Sequence, residues 1–239
     1  MDLTDPTGAT DLAAVTVILP ALDEAEALPA ALGSFPAGVD LLVVDNGSSD
    51  ATAATAAALG ARVVTEPRRG FGAACWAGVL ASPGAEVLAF ADADGSFDGA
   101  DLAALAGPVL AGTADLVLGS RVSGEREPGA LSPLALAENR AIALACRALF
   151  GLRLTDLGPF RAVRRADLLA LGLADRGSGW PLEMVARAAR AGLRVAEVPV
   201  RYRRRAGGRS KVSGSLRGTA GAVAGMTAVA WRVAWRLAP

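Results

Sequence analysis

Five strand-like runs, at residues 15–19, 41–44, 62–65, 87–91 and 115–119, alternate with helix-like stretches near 24–32, 51–59, 73–80 and 101–110. No other property of the chain constrains its fold as much. Runs such as Val-Leu-Ala-Phe-Ala at 87–91 are apolar at every residue rather than every second one, which requires cover on both faces of a sheet. The expectation is an α/β fold: a Rossmann-like, mostly parallel central sheet with helices on both faces. With 239 residues, 52% of them hydrophobic, the chain can build one large domain or two small ones.

The pattern changes in the second part. A long helix is expected at 133–150, a short strand at 159–163, a helix at 180–191 and a strand at 194–201. Residues 1–14 are polar, with Pro6 and Gly8, and read as a loose tail. From Ser215 onward the chain reads as helix, with Trp231 and Trp235 on one face between Arg232 and Arg236. That helix either docks on the core or lies in a membrane interface. The apolar stretch 218–231 falls short of the roughly 20 residues that span a bilayer. No basic region precedes the first apolar run, so no signal peptide is expected.

Chemistry gathers where the strands end. The run 87–91 stops at Asp92-Ala93-Asp94-Gly95-Ser96, and two carboxylates one residue apart can point the same way. Ligands of open α/β sheets bind at the carboxyl ends of strands, and such a pair suits Mg²⁺ or Mn²⁺. The second strand stops at Asp45-Asn46-Gly47-Ser48-Ser49-Asp50. Ser49 or Asp50 can cap the following helix, but capping does not explain Asp45, which suits a hydrogen bond to a base or ribose. Glu24, in Pro20-Ala21-Leu22-Asp23-Glu24, is expected in the first turn of a helix. Arg68-Arg69-Gly70-Phe71-Gly72 precedes another helix and offers cation and backbone to phosphate or base.

Composition removes several mechanisms. The chain has no histidine, which excludes Ser-His-Asp and Cys-His catalysis and leaves acid–base work to carboxylates. Cys75 and Cys146 lie far apart and read as buried thiols in a reducing cytoplasm. Residues 1–100 carry 14 acidic and 3 basic side chains, while 101–239 carry 10 and 21. An acidic metal-holding half facing a basic phosphate-gripping half fits this asymmetry. Residues 201–217 hold seven basic side chains and no acid, among them Lys211, the one lysine of the chain. Gly207 and Gly208 suggest a mobile loop there that folds over a diphosphate.

Taken in order, these segments resemble a family 2 glycosyltransferase of the GT-A fold, closest to the dolichol- or polyprenyl-phosphate sugar transferases. The resemblance runs over about residues 15–217, with 15–121 as nucleotide-sugar-binding half, 122–217 as acceptor half and 218–239 as a C-terminal helix. It also rests on Gly119-Ser120-Arg121, Asp156-Leu157-Gly158-Pro159-Phe160-Arg161, Trp180 with Glu183, and Arg209-Ser210-Lys211. It implies a donor site of Pro20, Leu22, Glu24, Asp45, Asn46, Arg69, Gly70, Asp92, Ala93, Arg209 and Lys211, with Asp45 on the base and Asp92 near the ribose. Asp94, with Asp92, would hold Mg²⁺ or Mn²⁺ on the diphosphate. Related enzymes often carry Gln where this chain has Ser96, which leaves a third protein ligand open.

The acceptor follows from the need for a base. A sugar hydroxyl wants a carboxylate, for which Asp156 and Glu183 are the candidates, whereas a lipid phosphate is already ionised and wants cations; Arg121, at another strand end, can serve either the donor or the acceptor phosphate. The expectation is a metal-dependent, inverting transfer of a hexose from a UDP- or GDP-sugar to a polyprenyl (dolichyl-type) phosphate. It would take place in the cytoplasm, with the inner face of the membrane as a candidate location, and without nucleic acid. Two rivals are a haloacid-dehalogenase-like phosphatase, which uses Asp-x-Asp-Gly after an apolar strand, and a non-catalytic nucleotide-sugar-binding protein. The phosphatase motif normally lies near the chain start, and its later Gly-Asp-x-x-x-Asp is missing.

Overall fold

The computed structural model describes residues 11–208. Seven strands, β1 (Val15–Ala21), β2 (Asp40–Asp45), β3 (Arg62–Thr65), β4 (Val87–Phe90), β5 (Leu116–Ser120), β6 (Arg161–Arg164) and β7 (Val195–Pro199), form one sheet in the order β3-β2-β1-β4-β6-β5-β7. The pairs β1/β2, β2/β3, β1/β4 and β5/β7 are parallel, and β6 runs antiparallel to both β4 and β5. The mostly parallel sheet expected from the apolar runs is therefore present, with one reversed strand.

Helices α1 (Leu28–Gly33), α2 (Thr52–Ala58), α3 (Phe71–Leu80), α4 (Leu102–Leu110), α5 (Pro133–Phe150), α6 (Arg165–Ala170) and α7 (Trp180–Arg190) complete the elements. Alternate residues of each central strand serve opposite faces. Ile18, Leu88 and Phe90 join one core with Trp180, Met184 and Val185 of α7. Val17, Leu19, Val87 and Ala89 join the other with Leu102, Leu105 and Val109 of α4. This two-sided burial is why these strands lack polar alternation. On α3, a Cβ at Gly78 would overlap Ile18, so glycine lets that helix lie directly on β1.

Several boundaries differ from expectation. The first helix begins at Leu28, not Glu24, because Pro29 has no N–H and is tolerated only in a first turn. Asp23, at φ 51°, turns the chain before it. The helix expected from 101 starts with a 3₁₀ turn (Gly99–Asp101) capped by Asp98, and the six-residue α6 has no counterpart in the sequence reading. Of the expected tail, residues 12–14 are tied down: Leu12 and Ala14 carbonyls accept hydrogen bonds from Val15 and from Glu86 and Val87. The expected C-terminal helix lies outside the described residues.

Two features of the second half matter later. Asn139 and Cys146 are the buried residues of the 18-residue α5, while Leu134, Leu144 and Leu149 stay exposed. No described helix is long and apolar enough to cross a membrane.

Candidate active site

From β1 the chain runs outward through β2 to β3, then returns to place β4 on the other side of β1. This is a topological switch point, where open sheets leave a crevice beyond the carboxyl ends of their strands. Pro20 and Ala21 end β1, Asp45 ends β2, and Asp92 follows Phe90 by two residues. The strand-end carboxylates singled out in the sequence therefore share one edge of the sheet.

The β2 end is a scaffold. Asp45 accepts from the Ser48 N–H at 3.1 Å across a turn that Gly47 makes at φ 81°. The Asn46 amide donates to the Glu66 and Arg68 carbonyls at 2.9 and 2.8 Å and accepts from Gly70 N–H at 2.8 Å. All three bonds strap the 66–70 loop, so Asn46 fixes that loop against the end of β2. Arg69 is held over that turn, its Nε 3.3 Å from where a Gly47 Cβ would stand. At Gly70 a Cβ would overlap the Arg176 carbonyl.

Asp94 forms the centre of the site. Its Oδ1 accepts from the Ser96 hydroxyl at 2.6 Å and the Ser96 N–H at 3.0 Å. Ser96 therefore orients Asp94, at the position where a third metal ligand was left open. Its Oδ2 accepts from Arg205 Nη1 at 3.2 Å, and Nη2 of the same guanidinium pairs with Glu24. The Ala206 N–H donates to the Asp94 carbonyl at 2.9 Å, and Arg203 N–H to that of Ser96 at 2.7 Å. Leu22 and Ala93 lie on the two segments that this arginine joins. Asp92 is raised to about 7, first by withdrawal from water and then by the Asp94 charge, with Arg121 and Arg205 acting in the opposite direction.

In its described part, residues 201–208, the basic stretch is mostly held by ion pairs and hydrogen bonds. Arg201 pairs with Asp98 and Asp101 at 2.9 and 2.8 Å, Arg203 with Asp98 at 2.5 Å, and Glu127 accepts from the Arg204 N–H. The acidic and basic halves do meet here, but largely as structural ion pairs. Among the described residues of that stretch, Arg205 is the member whose side chain reaches Asp94. Sequence reading missed it, although a run of arginines before Gly207-Gly208 was the available signal. Arg209 and Lys211 lie outside the described residues.

Across the site, Arg121 follows the end of β5. Its Nε and backbone N–H donate to Asp156 Oδ2 at 2.7 and 2.8 Å, and Nη2 donates to Oδ1 at 2.8 Å. Asp156 is fully buried. Burial alone would lower the Arg121 pKa, but the hydrogen bonds and charge of Asp156, with the Tyr202 and Asp92 charges, together outweigh it and the net shift is upward. The Tyr202 ring lies 5.4 Å from the guanidinium. Both Asp156 oxygens are committed to this cation, so Asp156 holds an arginine rather than waiting for a proton. Glu183 is committed elsewhere: Ala174 and Asp175 N–H donate to it at 3.0 and 2.7 Å, and Arg187 Nε at 2.8 Å. None of these bonds reaches Asp94 or Arg121, and their effect is to anchor the loop that buttresses the α3 start.

A second cation supports this frame. Arg161, fully buried on β6, donates to the Pro181 carbonyl at 2.9 Å and the Gly158 carbonyl at 2.5 Å. Burial lowers its pKa to about 10. Gly158 is required because a Cβ there would overlap the Gly119 carbonyl.

Among the described residues no group of three or more His, Cys, Asp or Glu side chains could hold a metal alone. Asp92 and Asp94 nonetheless fit Mg²⁺ or Mn²⁺, which are commonly bound by one or two carboxylates together with substrate phosphates. Asp94 already faces a cation, the Arg205 guanidinium.

The sequence profile of Glycosyl transferase family 2 matches residues 16–171. An uncharacterized glycosyltransferase of Mycobacterium tuberculosis is 49% identical over 212 residues, spanning 88% of this chain and 94% of its own. The undecaprenyl-phosphate mannosyltransferase of Micrococcus luteus is 37% identical over 225 residues, covering 86% and 90%. Among solved structures, glucosyl-3-phosphoglycerate synthase from Mycobacterium tuberculosis with Mn²⁺ and UDP-glucose superposes with a TM-score of 0.72 at 27% identity, over 95% of this chain and 80% of that one. These likenesses set aside the phosphatase alternative.

Proposed function

The chain belongs to glycosyl transferase family 2 and is a glycosyltransferase of GT-A fold; from that premise we propose that it transfers a hexose from a UDP- or GDP-sugar to a polyprenyl phosphate, with inversion. One observation carries the acceptor class. The two carboxylates available to activate a hydroxyl, Asp156 and Glu183, both serve arginines. A phosphate monoester, with its second pKa near 6, needs no base and is attracted by the fixed Arg121. The lipid-phosphate relative supports the same reading.

In this reading residues 15–121 bind the donor. Asp45, beside the strapped 66–70 loop with Arg69 and Gly70, receives the base or ribose, and Pro20, Leu22 and Glu24 border it. Asp92 and Asp94 would hold Mg²⁺ or Mn²⁺, which when bound neutralises charge developing on the diphosphate. Residues 122–217 then serve the acceptor. An acceptor phosphate oxygen, held by Arg121, attacks the anomeric carbon opposite the nucleotide. The new carbon–oxygen bond forms as the old one breaks, and its electron pair leaves with the diphosphate. Arg205, released from Asp94, stabilises that leaving group, with Arg209 and Lys211 as further candidates from the same stretch. Such an acceptor places the enzyme at the cytoplasmic membrane face.

The test is a panel of UDP- and GDP-hexoses with Mn²⁺, scored by thermal stabilisation and by transfer to a polyprenyl phosphate. One donor should both stabilise the protein and label the lipid, and Asp94→Ala should abolish both. If no nucleotide sugar stabilises the protein, the reading fails.

A further inference from the structure

A groove of about 550 Å³ runs along α5 on the acceptor side, within the roughly 300–1,000 Å³ of small-molecule sites. Its apolar wall is Val122, Leu136, Ala143, Leu144 and Leu154. We propose that this groove receives the apolar chain of the acceptor lipid whose phosphate Arg121 holds, an inference that rests on the lipid-phosphate reading above.

Continuity with the site is the first argument. Val122 follows Arg121, and Thr155, also in the lining, precedes Asp156. Asn139 of α5 donates to the Thr155 carbonyl at 2.9 Å and accepts from the Leu157 N–H at 3.0 Å. The groove wall is thereby fastened to the turn that carries Asp156, and a phosphate at Arg121 would have its tail at the groove's inner end.

Charge is the second. The lining includes Arg140, Arg147 and Arg153 and no acidic residue, and none of the three forms an ion pair among the described residues. Cations over an apolar wall suit an anionic amphiphile. The chain's own residues 209–239, with five basic side chains and no acid, are mismatched to that rim. A second copy would bring the same three arginines to that rim.

The third is the outward face of α5. Leu134, Leu144 and Leu149 are 60%, 59% and 53% exposed, beside Ala137, Ala141, Ala145 and Ala148. Such a face has no aqueous purpose and extends the groove's apolar surface outward, along the path of a long prenyl chain.

The experiment compares a short, water-soluble prenyl phosphate with a long-chain polyprenyl phosphate as acceptors. Ala143→Trp narrows the groove, and Leu144→Glu, at an exposed position where folding is not at risk, sets a carboxylate against the chain. Each should lower the long-to-short ratio of kcat/KM by about tenfold or more, the worth of a few buried methylene groups. Donor-induced thermal stabilisation reports that the variants fold. An unchanged ratio, an equal loss on both acceptors, or a wild type indifferent to chain length would overturn the groove assignment. A wild type that binds donor but uses neither acceptor would overturn the lipid-phosphate reading, and this inference with it.

Discussion

Replacing Arg205 with Met tests whether a guanidinium and a divalent cation share one carboxylate. The Arg205 side chain is 21% exposed and joins Asp94 and Glu24, which are 16% and 9% exposed. Charge-assisted hydrogen bonds contribute roughly 1.5 to 3 kcal/mol each. Losing two of them while leaving two carboxylates near Asp92 should cost the metal-free protein about 3 kcal/mol, at the low end for breaking a buried pair. At roughly 2–4 °C per kcal/mol for a chain of this size, Tm should fall by about 6–12 °C. In the wild type, metal reaching Asp94 must displace Arg205 and forfeit part of that energy. If about half is forfeited, Arg205→Met should bind Mn²⁺ about tenfold more tightly in the absence of nucleotide. Calorimetric titration with Mn²⁺ measures the affinity, and melting with and without Mn²⁺ measures the stability. Transfer should nevertheless slow, because the leaving diphosphate loses its arginine. Equal or weaker Mn²⁺ binding by the variant would refute the shared carboxylate.

Asp156→Asn should leave the fold intact but reduce kcat/KM for the acceptor by about 100-fold, and Arg121→Lys should not preserve activity, because one ammonium cannot reproduce the bidentate geometry; steady-state kinetics at saturating donor separate the two substrates. Asn46→Ala releases three hydrogen bonds and should cost about 2–3 kcal/mol, seen by urea denaturation, with a raised KM for the donor and little change for the acceptor. The pH dependence follows from Asp92, whose pKa of about 7 lies above the ordinary carboxylate value of 3.8. Between those values the folded state keeps a proton that the unfolded chain has released, so the Asp92 contribution to metal-free stability falls as pH rises through 7. Mn²⁺ affinity should rise over the same window. Melting curves from pH 5 to 8, with and without Mn²⁺ and with Asp92→Asn as control, would show the stability slope and its removal.

The strands were legible because their burial on both faces leaves uninterrupted apolar runs, and the acids at Asp45, Asp92 and Asp94 were legible because each run stops where its strand reaches the crevice. The reversed direction of β6 was not. Its four residues, Arg161–Arg164, carry no mark of orientation, which is set by pairing with β4 and β5. The same holds for ion pairs. Arg205 meets Asp94 across 111 positions, and no local pattern distinguishes it from Arg201 and Arg203, whose charges are spent on Asp98 and Asp101, or from Arg204, whose guanidinium is held against the Pro128 carbonyl. Asp156 and Glu183 read as bases because a sequence shows an acid without its donors.

The reversed strand also works as a ruler. Phe90 lies opposite Arg161 in the β4/β6 ladder, so Asp92 and Asp156 hang from two strands stitched to each other. The span from Asp92 and Asp94 to Arg121, which in the proposed reaction separates leaving group from acceptor, is therefore fixed by one hydrogen-bonded ladder and not by the closing of two lobes. Loops on either side can be exchanged, lengthened or redesigned to admit another donor or acceptor while Asp92, Asp94 and Arg121 keep their separation. For the same reason the first half of the chain is not a detachable part: cut after Ser120, it would expose the β4 edge as an unpaired strand and lose the measure it was built to keep.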